Sequence, residues 1–345
     1  MADVVEALIG ASFIDGGIPK AITCMSTFLG ECNWRDVERS RERLFRLQPD
    51  VALPPVLEPL ETLLGYSFRK KSLLVEAVTH GSYVVDSGQR SYERLEFLGD
   101  AVLDNIIVTK LFAVKPPLPH YQMHLLKTAM VNGDFLSFVV MEHGLREHEN
   151  LITRDLQVVD KDVALPLWKF MRHNSVAIGL EKDATVQRFE ALRGDICAAV
   201  GHGTHYPWAL LARMQAKKFY SDLFEAIIGA VWVDSGSKES CEQVLARFGM
   251  MAYLDRIVRD KVHVQHPKEE LGQWAMTQTV TYEVDMAESA GGEKTYLCKV
   301  HVGNRVVAEV TDGVSKEEAK TKAAQEAVRR LMSEKESSSS EGSSE

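Results

Sequence analysis

"YERLEFLGDAVLDNIIVTKLF", residues 92–112, sets the terms for the fold. Its apolar residues Leu95, Phe97, Leu98, Val102, Leu103, Ile106 and Ile107 recur at helical spacing and cover most of the circumference, so the segment is expected to be a largely buried helix. Glu96 and Asp100 lie four residues apart on one side of it, with Asp104 four further on. Like charges at that spacing repel, and inside a protein they also lose hydration. A raised pKa, a basic partner or a bound cation must offset both effects. The downstream stretch "DLFEAIIGAVW", residues 222–232, poses the same problem with Asp222 and Glu225. Two apolar helices, each with a carboxylate pair, suggest a four-oxygen site for a hard divalent ion such as Mg²⁺. The plainer alternative is that these acids cap helices or pair with Arg94, Lys217 and Lys218; for Asp104 a salt bridge or a helix boundary is expected.

The second acidic stretch is half of an internal repeat. "DVVEALIGASFIDGG" (3–17) and "DLFEAIIGAVWVDSG" (222–236) share Asp, Glu, Ala, Ile, Gly, Ala, Asp and Gly at matching places. Either the repeat is a packing unit or it is half of a chemical site.

Bulk properties exclude several classes. The chain has 345 residues, 45% of them hydrophobic and 26% charged, and a formal charge of −9. No apolar run reaches the ~18–20 residues that span a bilayer, so no membrane association is expected. The start carries acids where a signal peptide would carry Lys or Arg, which argues against secretion. Cys24, Cys32, Cys197, Cys241 and Cys298 are scattered without zinc-ligand spacing, so free thiols in an intracellular, reducing compartment are expected, cytoplasm and nucleus being indistinguishable. A negative balance ordinarily disfavours nucleic acid, but a chain that collects metal-binding carboxylates leans acidic for that reason.

Residues 1–48 read as helical, 49–56 as a proline-rich linker, and 57–258 as a helical domain with a less regular insertion over about 150–216. Within the insertion, helices are expected at "ALPLWKFMRHN" (164–174) and "QRFEALRGDICAAVGHG" (187–203). From Lys261 the pattern changes to helix, three alternating strands and a final Ala-rich helix with Ser315 as N-cap and Glu318 three residues on, an α-β-β-β-α module over 262–333. The Ser/Glu-rich tail, 334–345, is expected to be disordered.

"ERLEFLGD" (93–100) resembles the signature of the ribonuclease III family. "VTHGSY" (78–83) and "LLGYSFRKKSLLVEAVTH" (63–80) are similar to its upstream elements, and "KFYSDLFEAIIGAVWVDSG" (218–236) to its second acidic motif. The resemblance implies a mainly α fold, a helical nuclease domain followed by a double-stranded-RNA-binding domain. It implies that Glu96, Asp100, Asp222 and Glu225 are catalytic acids binding Mg²⁺ (or Mn²⁺), that Lys218 sits near the scissile phosphate, that Glu93 belongs to a domain interface, and that Asn132 supports the site. In the C-terminal module, Lys316 and Lys320 would face RNA phosphates. Two features depart from the family pattern: Glu317 stands where a second Lys is common, and the loop between the first two strands reads only "SAGGEK". With nine Lys/Arg against eleven Asp/Glu between Gln265 and Met332, weak RNA binding or a protein-docking role stays open.

Two ribonuclease III domains followed by one RNA-binding module is the arrangement of Dicers, and the insertion looks like that of fungal Dicer-like enzymes. Residues 3–17 would then close a first domain, with Asp3 and Glu6 matching Asp222 and Glu225, although no second "LEFLGD" precedes them. The expectation is a C-terminal piece with one complete site, acting as a Mg-dependent endoribonuclease on double-stranded RNA in RNA processing, silencing or antiviral defence, leaving 5′-phosphate and 3′-hydroxyl ends. Cutting both strands needs a second ribonuclease III domain, from homodimerisation or from a full-length partner. Two rivals remain: a catalytically inactive dsRNA-binding scaffold on the same fold, and a different all-helical metal hydrolase acting on nucleotides.

Overall fold

The computed structural model describes residues 2–30, 34, 36–83, 90–152, 158–288 and 294–341. Helix α1 (Ala2–Phe28) breaks at Gly16–Gly17, where Gly17 adopts a left-handed φ of +65° ahead of Pro19. Helix α2 (Val37–Arg46) starts at Asp36, whose carboxylate accepts the N–H groups of Glu38 and Arg39 at 2.8 and 3.1 Å. Then come α3 (Glu58–Leu64), α4 (Lys71–Ala77), α5 (Glu93–Phe112), α6 (His120–Val131) and α7 (Gly133–Glu142). The long apolar stretch spanning the last two splits at Asn132, whose side chain caps α7 by accepting from Phe135 N at 2.9 Å.

The insertion departs from its expected form. Strands β1 (Gly144–Ile152) and β2 (Val158–Pro166) pair antiparallel, so "ALP" ends a strand rather than starting a helix. Only Leu167–Phe170 makes a short 3-10 turn after Pro166. Helix α8 (Val176–His202) begins eleven residues earlier than expected, capped by Ser175; Gly179 and a charged run conceal its periodicity. A short α9 (Trp208–Arg213) leads to α10 (Phe219–Ser235), α11 (Lys238–Arg247) and α12 (Met250–Arg259).

Helix α10 is the axis of the domain. Leu223, Phe224, Ile227, Ile228 and Val231 are fully buried, and the helix lies against α4, α5, α7 and α11. Against α5 the two backbones touch at glycines. A Cβ added at Gly99 would lie 2.7 Å from the Glu225 carbonyl carbon and 2.8 Å from Gly229 N; one added at Gly229 would meet the Leu95 carbonyl carbon at 3.0 Å. Helix α5 is less buried than its composition implies. Phe97 (80% exposed), Val108 and Phe112 share an outward face, so only the opposite face packs into the core.

In the second copy of the repeat, Asp222 and Glu225 are the acids, and Gly229 is the helix crossing. Asp234, fully buried, accepts hydrogen bonds from Tyr66 Oη (2.7 Å) and from the N–H groups of Arg69 and Lys70 (both 2.9 Å), tying α10 to the turn before α4. Gly236 is left-handed at φ +69°, with the Arg41 guanidinium packed where a side chain would be and donating to Val233 O at 3.0 Å. The first copy keeps the left-handed glycine at Gly17, but Asp3, Glu6, Leu8 and Asp15 are exposed and Gly10 has open space around it. In its second copy the phrase is a packing unit, whereas the acids of its first copy face solvent. Asp234→Ala will remove the buried acceptor shared by two backbone N–H groups and the Tyr66 hydroxyl and destabilise the protein by about 3 kcal/mol, measured by chemical denaturation.

The C-terminal module consists of α13 (Pro267–Ala275), the antiparallel sheet β3 (Val280–Glu288), β4 (Lys294–Val302) and β5 (Arg305–Gly313), and α14 (Lys316–Glu341). Leu271, Cys298, Val300, Ala308, Ala319 and Ala323 make its core. Glu318 N donates to Ser315 Oγ (3.1 Å), while the Glu318 carboxylate accepts from Val314 N (3.0 Å), a capping box shifted by one residue. Helix α14 runs to Glu341, past the point where disorder is expected. Extending a nucleated helix adds one hydrogen bond per residue, and Glu334 pairs with Arg305 at 2.5 Å. Residues 289–293 of the atypical loop and residues 342–345 lie outside the described residues. No helix among the described residues is long and apolar enough to cross a membrane.

Candidate active site

The glycine crossing explains why the acids meet. Gly99 lies three residues after Glu96, and Gly229 four after Glu225, so each acid sits one turn from the point where the backbones touch. One carboxylate oxygen from each of Glu96, Asp222 and Glu225 lies within 4.8 Å of the other two. Asp222 and Glu225 are buried. Asp100 is exposed and stands outside that triangle, yet it is the strongest charged influence on Glu225. Lys218, just ahead of α10, donates to Glu96 Oε1 at 2.8 Å and to Asp222 Oδ1 at 2.5 Å.

Burial pushes the Glu225 carboxyl up to about 8, helped by the charges of Asp100 and Asp222 and opposed by Lys218. Burial also raises Asp222, against the hydrogen bond and charge of Lys218. Asp100, exposed as it is, rises through partial desolvation of its carboxyl and then through Asp104, with Lys127 opposing. Partial burial works against the Lys218 ammonium, but its hydrogen bonds to Asp222 and Glu96 outweigh that and raise its pKa.

Of the alternative partners foreseen for the acids, Lys218 alone engages them. Lys217 reaches Glu181 at 3.9 Å, and the charge of Arg94 bears on Glu76. Asp104 makes the expected salt bridge, to Lys127 at 2.7 Å. Glu93 is exposed at the start of α5 and accepts from Ser91 Oγ at 3.1 Å. Asn132 is spent on the α6–α7 junction, donating to Ala129 O and Tyr206 Oη, both at 2.8 Å; its bonds run to the helix frame and not to a carboxylate. Lys316 is exposed at the first position of α14, and Lys320 is held by Glu317 at 3.1 Å.

Residue-by-residue reading of the sequence missed Tyr92. Its buried ring stacks edge-on against His80, with centroids 5.6 Å apart, and its hydroxyl is turned toward Asp222. Burial raises the pKa of that hydroxyl, with Asp222 and Glu96 adding to the effect, so it remains a neutral donor beside the acids. A tyrosine directly before the acidic helix carries no periodic signal; the backbone bond from Tyr92 N to Thr79 O, 2.9 Å, brings it beside the His80 segment.

A hard divalent ion fits this donor set. Oxygens on opposite sides of a Mg²⁺ ion stand about 4.2 Å apart, so the three carboxylates are within a small side-chain rotation of coordination distance. A pH test follows. Between about 4.5 and 8 the folded chain keeps a Glu225 proton that the unfolded chain has lost, so metal-free stability falls as pH rises through that window. Mg²⁺ binding displaces the proton and will raise Tm more at pH 8 than at pH 6, measured by thermal unfolding with and without EDTA.

Residues 93–236 match the ribonuclease III domain model, and residues 260–345 match that of the Dicer-like protein 2 dsRNA binding domain. The chain belongs to the ribonuclease III family. In sequence it is 46% identical over 350 residues to Dicer-like protein 2 of Cryphonectria parasitica, covering 95% of this chain and 24% of that protein. It is 46% identical over 356 residues to Dicer-like protein 2 of Pyricularia oryzae, with the same two coverages. To Dicer-like protein 2 of Neurospora crassa it is 37% identical over 385 residues, covering 94% and 25%. The chain thus spans about a quarter of the length of the curated relatives it matches.

Proposed function

We propose that this chain is a Mg²⁺- or Mn²⁺-dependent endoribonuclease that hydrolyses double-stranded RNA at the acids of α5 and α10, leaving 5′-phosphate and 3′-hydroxyl ends. The observation that carries this reading is the convergence of Glu96, Asp222 and Glu225 from two helices far apart in sequence. When bound, the divalent ions supply Lewis-acid charge and a water of lowered pKa. Glu96, Asp222 and Glu225 hold them, with Asp100 adding negative charge beside Glu225. Tyr92 keeps a neutral hydroxyl in the neighbourhood of Asp222 and Glu96. Lys218 neutralises the acids in the metal-free protein, and its exposed ammonium is placed to meet a phosphate oxygen once cations take over that task. Lys316 and Lys320 contact the duplex backbone. The setting we propose is intracellular RNA processing, including RNA silencing and antiviral defence.

Phe97, Val108 and Phe112 on the outer face of α5 support homodimerisation through that helix, which brings a second site for the opposite strand. Phe97→Glu will give a monomer by sedimentation that nicks duplexes instead of cutting both strands; a strict monomer that still makes double cuts refutes the dimer. The central test is cleavage of end-labelled duplex RNA in Mg²⁺ and in EDTA. Cutting in Mg²⁺ alone is expected, and hydrolysis of a free nucleotide with an intact duplex would overturn the reading.

A further inference from the structure

The end of the insertion touches the C-terminal module at two separate places. Its first hold is on the connection between α12 and α13. His263 N donates to Thr204 O and Tyr206 N donates to His263 O, both at 2.8 Å, while the Trp208 indole donates to Val264 O at 3.1 Å. Val262 and Val264 are each 7% exposed, and the His266 ring lies 4.8 Å from Trp208. A seven-residue tether has become a strap laid into the nuclease domain.

The second hold is on the turn that starts α14. Arg213 donates to Glu318 Oε1 at 2.9 Å and to Asp312 O at 3.1 Å, and Gln215 donates to Val314 O at 3.0 Å. The Glu318 side chain is 1% exposed, so Arg213 is the counter-charge of a buried carboxylate. The backbone of this grip is itself held, because Arg188 on α8 donates to Met214 O at 2.9 Å. Lys316, two residues from Glu318, stays exposed.

We propose that residues 204–215 are a dock that fixes the C-terminal module in one orientation on the nuclease domain, with Arg213 as its positioning residue. The proposal rests on the RNA-cleaving reading above for its consequence: a duplex engaged by the module is presented to the acids at a set register. A freely tethered module would have to be ordered anew at each binding event, an entropic cost that the dock removes in advance. The effect therefore falls on productive RNA binding and not on the chemical step.

The test uses the full chain and its Arg213→Ala, Arg213→Lys and Gln215→Ala variants, read by amide hydrogen exchange and by cleavage kinetics on a labelled blunt duplex. A charge-assisted bond to a buried carboxylate is strong enough that Arg213→Ala should speed exchange over residues 312–318 about tenfold or more. KM should rise by a similar factor, with kcat within about twofold of the parent. Arg213→Lys should recover most of both losses, and Gln215→Ala should show a smaller change in the same direction. Parent-like exchange and KM in both alanine variants overturns the dock, as does a loss confined to kcat. A parent chain that leaves duplex RNA uncut defeats the nuclease reading instead, while the exchange data still decide the dock.

Discussion

Exchanging Glu225 for Gln will slow duplex RNA cleavage at least about 100-fold while making the metal-free protein more stable at pH 8. Groups that merely support a metal ligand contribute about 10–100-fold to affinity or activity when removed, so a ligand itself should exceed that range. The stability gain has a separate origin. Gln keeps the shape of Glu225 but removes a charge that burial, Asp100 and Asp222 all disfavour. Relief of that strain should be worth about 1–3 kcal/mol above pH 8, since each unit of pKa displacement corresponds to about 1.4 kcal/mol. At pH 5, where the carboxyl already carries its proton, parent and variant should melt together. Single-turnover cleavage and thermal unfolding in EDTA at both pH values check the pair of effects. A variant that is slower and also less stable at pH 8 would make Glu225 a structural residue and end the metal-site reading.

Much of this was legible in the sequence because burial and charge conflict there. Acids on apolar helices are costly to keep without a reason, and Glu96, Asp222 and Glu225 announce themselves on that ground alone. Asp100 shares their spacing but lies on the solvent side, a distinction that helical period does not resolve. Strand β3 and the end of β4 alternate because one face packs on the module's helices, while β5 breaks the alternation at the adjacent buried pair Val307 and Ala308. In the insertion, the β1–β2 pair has a polar sequence without a consistent apolar face, and α8 holds three glycines, Gly179, Gly194 and Gly201, so neither shows the periodicity of a core element. The roles of its last residues exist only in three dimensions: Thr204, Trp208, Arg213 and Gln215 bond to partners that lie 56 to 105 positions away in the chain. The repeat was visible, but its glycines read as composition, because a glycine's reason for being small is the atom that faces it.

That facing atom makes the same substitution carry opposite signs at two glycines. Gly99→Ala would place a methyl group against the Glu225 carbonyl and Gly229 N, backbone atoms that no rotamer change can move aside. Helices α5 and α10 must then separate, at a cost of at least about 3 kcal/mol, or roughly 6–12 °C in Tm for a domain of this size. Separation also withdraws Glu96 from Asp222 and Glu225, so the stabilisation by Mg²⁺ should shrink along with the melting temperature. Gly194, in the middle of α8, has open space where a Cβ would go. There Ala loses less backbone entropy on folding and should stabilise the protein by about 0.5–1 kcal/mol. Thermal unfolding of the two variants, each with and without Mg²⁺, reads all four values. If Gly99→Ala melts like the parent and keeps its full response to Mg²⁺, the backbones do not cross at that glycine, and another contact must bring the acids together.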